Sequence, residues 1–498
     1  MPVSSEVRFA TGIPGLDDIL HGGLLPRRLY LVDGNPGAGK TTLAMQYLLE
    51  GVKRGERCMY ITLSETPDEL RAGAASHGWT LDGIEVVELS EHGADFSGED
   101  ELTMFLPSEV ELSETTRRVL EHVQRVDPER LVFDSLSEMR LLAQSSLRYR
   151  RQILAQKQFF AGRRCTVMML DDSTGDGADL QLQSIAHGVI SLEHRAPSYG
   201  RALRQLRVVK FRGSDFRSGF HHIALTHGGI EVYPRLAASE HRSAYDHTQI
   251  ASGVSALDRM LGGGVDVGTS TLLIGPAGSG KSTVALQYAA AAAKRGEHAL
   301  VFTFDESKAT MVARSVGLGI DLREGVGPGR VGIRQVDPAE ISPGEFAYMV
   351  REAVETDEAK VIVIDSLNGY MNEMVDGEYL TAQLHELLAY LGNKGVSTFP
   401  IAAQTGIIAT QMGSPGDASY LADSVIYLRY FEHAGRVRKA ISVLKKRSGS
   451  HEHAIRELQM NAEGLHLSEP LVQFRGTLSG IPVEVSALDH NTFAARAS

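Results

Sequence analysis

Three blocks of this sequence recur at one fixed distance, and no other feature restricts the fold as tightly. TGIPGLDDILHGGL from Thr11 returns as SGVSALDRMLGGGV from Ser252. LVDGNPGAGKTTLAMQY from Leu31 returns as LLIGPAGSGKSTVALQY from Leu272, and GERCMYITLSE from Gly55 as GEHALVFTFDE from Gly296. Each pair lies 241 positions apart, so the opening of each half aligns without a gap. Later matches drift: RLVFDSL returns as VIVIDSL 231 positions on, and VVKFRGSDF as VLKKRSGSH 235 positions on. A chain of 498 residues built this way reads as two copies of one domain. The expected organisation is a first domain over 1–235, a small polar linker over 236–249, a second domain over 250–469 and a tail over 470–498 without a counterpart.

Within each copy, apolar runs such as LYLVDG, MYITL, LVFDS and TVMML have the length and composition of buried parallel strands. Helical stretches such as TTLAMQYLLEGVKRG and SLRYRRQILAQKQFFAG alternate with them. The pattern predicts an α/β fold in each copy, a parallel sheet flanked by helices.

The middle block carries the chemistry. It reads Gly34-Asn35-Pro36-Gly37-Ala38-Gly39-Lys40-Thr41 in the first copy and Gly275-Pro276-Ala277-Gly278-Ser279-Gly280-Lys281-Ser282 in the second. Both fit G-x-x-x-x-G-K-[ST] between a strand and a helix, the context in which the pattern is a phosphate-binding loop. Gly34, Gly37 and Gly39, like Gly275, Gly278 and Gly280, let backbone N–H groups converge on phosphate oxygens with no Cβ in the way. Lys40 and Lys281 reach the β and γ phosphates of ATP. Thr41 and Ser282 are the expected Mg²⁺ ligands, followed at the helix start by Thr42 and Thr283. Two complete copies at matched positions leave a chance glycine-rich turn a poor explanation.

Other repeated elements fit the same site. Asp134 follows Leu131-Val132-Phe133, and Asp365 follows Val361-Ile362-Val363-Ile364. A carboxylate ending a buried strand beside the loop would orient the Mg²⁺ shell; the plainer reading is an ordinary strand-end aspartate. After the next strand come Ser64-Glu65 and Asp305-Glu306. Glu65, Asp305 and Glu306 are candidate general bases, although ETPDEL and DESKAT also look like helix starts. Late in each copy, Lys210 and Arg212, then Lys445 and Arg447, alternate along a strand. They either reach a nucleotide held by a neighbouring subunit or guard an exposed sheet edge.

Composition excludes several classes. A net charge of −12 argues against broad nucleic-acid binding. Two distant cysteines, Cys58 and Cys165, cannot form a zinc ribbon and suit a reducing cytoplasm. No apolar run is long enough for a signal peptide or a membrane span, so a cytoplasmic address is expected.

Taken together, the doubled loops, the [GA]-L-D-x-[IM]-x-x-G-G segment before each loop, the acidic pair and the late [KR]-x-R segment resemble the KaiC family of circadian-clock ATPases over roughly residues 8 to 482. The resemblance implies two tandem RecA-like units stacked as a double-ring homohexamer, with ATP between neighbouring subunits. It further implies an ATPase first unit, a second unit that phosphorylates itself, and basic pairs that act in trans. The family's Ser-Thr phosphorylation pair aligns with Ser419-Tyr420 in GDASYLADSVIYL. Ser64 stands where the family carries a carboxylate, Asp305 is shorter than the usual glutamate, and Tyr420 replaces threonine. A regulatory ATPase and serine autokinase is therefore expected rather than a full oscillator. Its expected partners are a KaiB-like protein or a histidine kinase with its response regulator. The alternatives are a RecA-type DNA-processing motor, disfavoured by the acidic balance, and a scaffold held together by ATP.

Overall fold

A computed structural model describes residues 7–89, 107–172, 179–197, 200–246, 248–374, 379–404, 419–475 and 483–484. The chain divides into two compact units that part after Arg235.

The first unit holds strands β1 (Leu29–Gly34), β2 (Cys58–Thr62), β3 (Ile84–Glu88), β4 (Arg130–Asp134), β5 (Thr166–Asp172), β6 (Gly188–Arg195), β7 (Leu203–Phe211), β8 (His221–Thr226) and β9 (Gly229–Tyr233). Their order in the nine-stranded sheet is β3-β2-β4-β5-β1-β6-β7-β8-β9. The strands from β3 to β6 in that order run parallel, and β7, β8 and β9 extend the sheet antiparallel. Helices α1 (Pro14–Ile19), α2 (Lys40–Lys53), α3 (Pro67–Ser76), α4 (Pro107–Val126), α5 (Leu136–Ala143), α6 (Ser146–Ala161) and α7 (Asp179–Ile185) complete the unit.

The second unit begins with a short antiparallel pair, β10 (Gln249–Ile250) and β11 (Val265–Asp266). Its sheet contains β12 (Thr271–Gly275), β13 (His298–Thr303), β14 (Val331–Gln335), β15 (Ala359–Asp365), β16 (Ser397–Ala403), β17 (Ser424–His433), β18 (Arg436–Lys446), β19 (Arg456–Asn461) and β20 (Gly464–Pro470). The order β14-β13-β15-β16-β12-β17-β18-β19-β20 repeats that of the first unit position by position. Helices α8 (Ser255–Met260), α9 (Lys281–Lys294), α10 (Lys308–Gly317), α11 (Pro343–Glu355), α12 (Leu367–Glu373) and α13 (Leu380–Asn393) follow. The expected pair of α/β units is what the chain forms.

Both sheet faces are covered because consecutive strand residues point to opposite sides. In β1, Tyr30 and Val32 pack with Leu43 and Tyr47 of α2, while Leu29 and Leu31 pack with Ile153 and Phe160 of α6. Among the described residues Arg130 is the charged side chain buried most deeply in this core. Arg130 is fully buried, donates to the carbonyls of Ala10 (2.7 Å) and Tyr47 (2.8 Å), pairs with Glu56 and lies over the Phe9 and Tyr47 rings.

The aspartate of the repeated block, Gly15-Leu16-Asp17 and Ala256-Leu257-Asp258, is structural in both copies. Asp17 accepts from the Thr11 backbone N–H at 2.8 Å, and Asp258 does the same for Ser252 at 2.7 Å. The segment expected to link the units packs on the second one. The Ala238 N–H donates to Glu386 (3.0 Å), Asn393 donates to the Ala238 carbonyl (2.7 Å), and the His241 ring meets the face of Tyr390 edge-on.

Candidate nucleotide-binding sites

Each phosphate loop leaves a central parallel strand and feeds a helix, so its N–H groups gather at a helix N-terminus. Two glycine requirements are visible. Gly39 and Gly280 cap α2 and α9 with φ of 103° and 107°, a left-handed conformation that side chains resist. At Gly34 and Gly275 a Cβ would lie 2.3 Å from the Leu192 carbonyl and 2.2 Å from that of Leu428. The adjoining strand therefore admits only hydrogen there. Gly37 and Gly278 also have positive φ.

The lysines curl back over their loops. Lys40 Nζ donates to the carbonyls of Gly34 (2.8 Å) and Asn35 (3.1 Å), and Lys281 Nζ to those of Gly275 (2.9 Å) and Pro276 (2.7 Å). Burial holds the Lys281 ammonium down to about 8, with Asp365 partly opposing the shift. Lys40 instead meets a carboxylate, Asp172, at 2.8 Å.

The strand-end aspartates stand next to the hydroxyls that follow these lysines. Thr41 Oγ1 donates to Asp134 at 3.3 Å, and Ser282 hydrogen-bonds to Asp365. Tyr60 also donates to Asp134. Burial raises both carboxyls above the ordinary range against these hydrogen bonds. A hydroxyl and a buried carboxylate side by side are oxygen ligands of the kind Mg²⁺ takes. The glycine cradle, the lysine and the buried Ser279 Oγ, which has no hydrogen-bond partner among the described residues, fit a bound polyphosphate. In the first unit a cavity of about 420 Å³ is lined by Thr41, Thr42, Glu65, Glu69 and His77 among others. In the second, one of about 570 Å³ is lined by Lys281, Ser282, Thr283, Glu306, Arg314 and Lys439 among others.

The acidic pairs precede their helices rather than cap them, since Thr66 caps α3 and Ser307 caps α10. Glu65 is raised above its usual range by burial first, then by the charges of Asp134 and Glu69. Glu306 is held by Arg314 through both oxygens, at 3.2 and 2.7 Å, and Arg314 also donates to Thr283 at 3.3 Å. Asp305 accepts from Ser366 Oγ at 2.8 Å.

The basic pairs are turned toward carbonyls of their own chain. Lys210 donates to Gln183 and Arg212 to Ser184 (3.0 Å). Lys445 donates to Ser419 (3.1 Å) and Ala422 (2.6 Å), and Arg447 donates to Tyr420 (2.7 Å). Neither pair lines the cavity of its own unit. Ser419 and Tyr420 open the segment before β17, and the Tyr420 side chain is exposed. The residues before them, 405–418, lie outside the described residues, as do most of those of the expected tail.

Several site residues are absent from the sequence-based expectation. Arg314 and Lys439 line the second cavity; Arg204 donates to Gly37 (3.1 Å) and Tyr430 to Ala277 (3.1 Å), so each loop carries a side-chain clasp. Both Asp134–Ser135 and Asp365–Ser366 peptide bonds are cis. Arg314 had a signal: α3 and α10 align without a gap, and the first unit has Gly73 where the second has Arg314.

The family model of the KaiC ATPase matches residues 9–237 and again 250–471. Among relatives, circadian clock protein KaiC3 of Synechocystis sp. is 25% identical over 487 residues, covering 96% of this chain and 94% of that protein. The circadian clock oscillator protein KaiC of Acaryochloris marina is 25% identical, covering 96% of this chain and 92% of its own length. The oscillator protein KaiC of Thermostichus vulcanus is also 25% identical, with 99% and 95% covered.

Proposed function

The chain belongs to the KaiC family of ATPases, and from that premise we propose that it hydrolyses ATP in a hexameric double ring and phosphorylates itself on Ser419. The observation that carries the reading is the doubled strand–loop–helix in which Lys40 and Lys281 lie over their loops while Thr41 and Ser282 hydrogen-bond Asp134 and Asp365.

Mg²⁺, when bound, would supply positive charge that offsets the charge developing on the phosphates. Thr41 with Asp134, and Ser282 with Asp365, are the residues that would hold it. The loop N–H groups and lysine orient the phosphates, and transfer then rests on position and charge. In the first unit Glu65 takes a proton from water as water attacks the γ-phosphorus and ADP leaves. In the second, Ser419 Oγ of a neighbouring subunit attacks, its proton passes to Asp305 or Glu306, and the bond to ADP breaks. Tyr420 is the longer and less suited acceptor.

Lys210, Arg212, Lys445 and Arg447 contribute from the neighbouring subunit in this reading. They would exchange a carbonyl of their own chain for a phosphate. A small KaiB-like protein, or a histidine kinase with its response regulator, is the proposed reader of the ring, in the cytoplasm. Among the described residues no helix is long and apolar enough to cross a membrane.

Intact-mass measurement and phosphosite mapping after incubation with ATP and Mg²⁺ test both halves of the proposal. Turnover with phosphate on Ser419, lost in Ser419→Ala, is expected. Turnover without any phosphoserine would leave an ATPase only, and no turnover would leave an ATP-held scaffold.

A further inference from the structure

The two lysines that serve the phosphate loops face different company, and the difference can be traced to one position. In the first sheet Gly34 pairs with Asp172 across β1 and β5; in the second Gly275 pairs with Ala403 across β12 and β16. Asp172 and Ala403 are therefore equivalent positions, one carrying a carboxylate and the other a methyl group. The frame around them is shared. The Asp172 N–H donates to Ser137 Oγ at 3.2 Å, and the Ala403 N–H donates to Asn368 at 2.7 Å.

We propose that Asp172 sets the nucleotide affinity of the first unit, by competing with the phosphate chain for Lys40. An ammonium has three N–H donors. In the first unit two go to the carbonyls of Gly34 and Asn35, and the third meets Asp172 Oδ1 at 2.8 Å. The other oxygen of Asp172 accepts from Ser137 Oγ at 3.1 Å, so the carboxylate is held from both sides. In the second unit the two carbonyls of Gly275 and Pro276 are bonded and Ala403 offers no anion. A phosphate entering the first loop must separate Lys40 from Asp172, and then share the space with a negative charge that the second loop lacks. Among the described residues no carboxylate forms an ion pair with Lys281, and its burial favours an entering phosphate.

The inference rests on the loops being nucleotide sites, so the test isolates each site in the full chain. Lys281→Ala leaves the first site, and Lys40→Ala leaves the second. Titration calorimetry with ATP and Mg²⁺ then reads each dissociation constant. In the Lys281→Ala chain, Asp172→Asn is expected to tighten binding about two- to fivefold, the factor that partly exposed ion pairs supply. Asp172→Glu, which keeps the charge, should stay near the parent value. In the Lys40→Ala chain, Ala403→Asp should weaken binding by a similar factor. Unchanged or weaker binding in Asp172→Asn, with Lys281→Ala itself still binding ATP, overturns the role of Asp172. If neither single-site chain binds ATP, the reading of the loops themselves fails. The carboxylate is 42% exposed, so Asp172→Asn is a substitution the fold tolerates.

Discussion

Arg314 grips Glu306 through both carboxylate oxygens, at 3.2 and 2.7 Å. Its counterpart in the first unit is Gly73, and among the described residues no cation forms an ion pair with Glu65. The two candidate bases thus differ in charge environment although the helices beside them align residue for residue. Both oxygens of Glu306 are taken by one guanidinium, so a water or hydroxyl must displace Arg314 before it can hydrogen-bond there.

That contrast gives the first prediction. In a Lys40→Ala chain, where turnover comes from the second unit, Arg314→Ala should raise ATP hydrolysis several-fold if Glu306 serves as base. Adding Glu306→Gln should cancel the gain. A fall in turnover that Glu306→Gln does not alter would show that Arg314 serves the phosphates instead.

The second prediction concerns pH. Burial and the neighbouring charges of Asp134 and Glu69 raise the Glu65 carboxyl above its ordinary value of 4.5. A base works only when deprotonated, so first-unit turnover should be retained at neutral pH and lost on acidification. The loss should come at a higher pH than an ordinary glutamate would give. In a Lys281→Ala chain, Glu65→Gln should lower turnover by about a hundredfold or more and remove that acid limb. A profile unaffected by Glu65→Gln would assign the limb to another group.

A third prediction concerns assembly. If Arg212 and Arg447 leave Ser184 and Tyr420 for a neighbour's nucleotide, ATP and Mg²⁺ should drive hexamers that are absent without them. Sedimentation velocity should show Arg447→Ala shifting this transition to higher ATP concentration. A hexamer indifferent to nucleotide would argue that the two arginines only brace their own chain.

The fourth prediction is one of stability. Arg130 is buried with Glu56, two carbonyls and two aromatic rings around it. Arg130→Ala leaves a carboxylate and two carbonyls short of a partner, at a cost of about 3–5 kcal/mol. Urea unfolding should show the first unit melting earlier while the second is unmoved. A coincident shift of both transitions would mean that the units unfold together.

What the sequence made legible was local and repeated. The strand–loop–helix around Lys40 and Lys281 and the aspartates ending β4 and β15 are contiguous patterns, and duplication marked each of them twice. Lys439 and Asp172 were not legible, and Arg314 showed only as a departure from Gly73, because tertiary placement brings them to the loops. α10 carries Arg314 over Glu306, β18 carries Lys439 to the second loop, and the pairing of β5 with β1 sets Asp172 against Lys40. The basic pairs were read as reaching outward, whereas in this chain they bond carbonyls just before β6 and β17, a geometry that alternation along a strand does not reveal.

The segment 236–249 has a practical consequence for anyone wishing to cut the chain in two. Ala238 takes Glu386 and Asn393 as partners, the Ser243 N–H donates to the Asn393 carbonyl (3.0 Å), and Tyr245 fills the space beside Gly395. A fragment that starts at Ile250 would strip these contacts from the end of α13 and bare the Tyr390 ring. One that starts at Leu236 carries its own cover. Severed there, the second half keeps the clamp that closes α13.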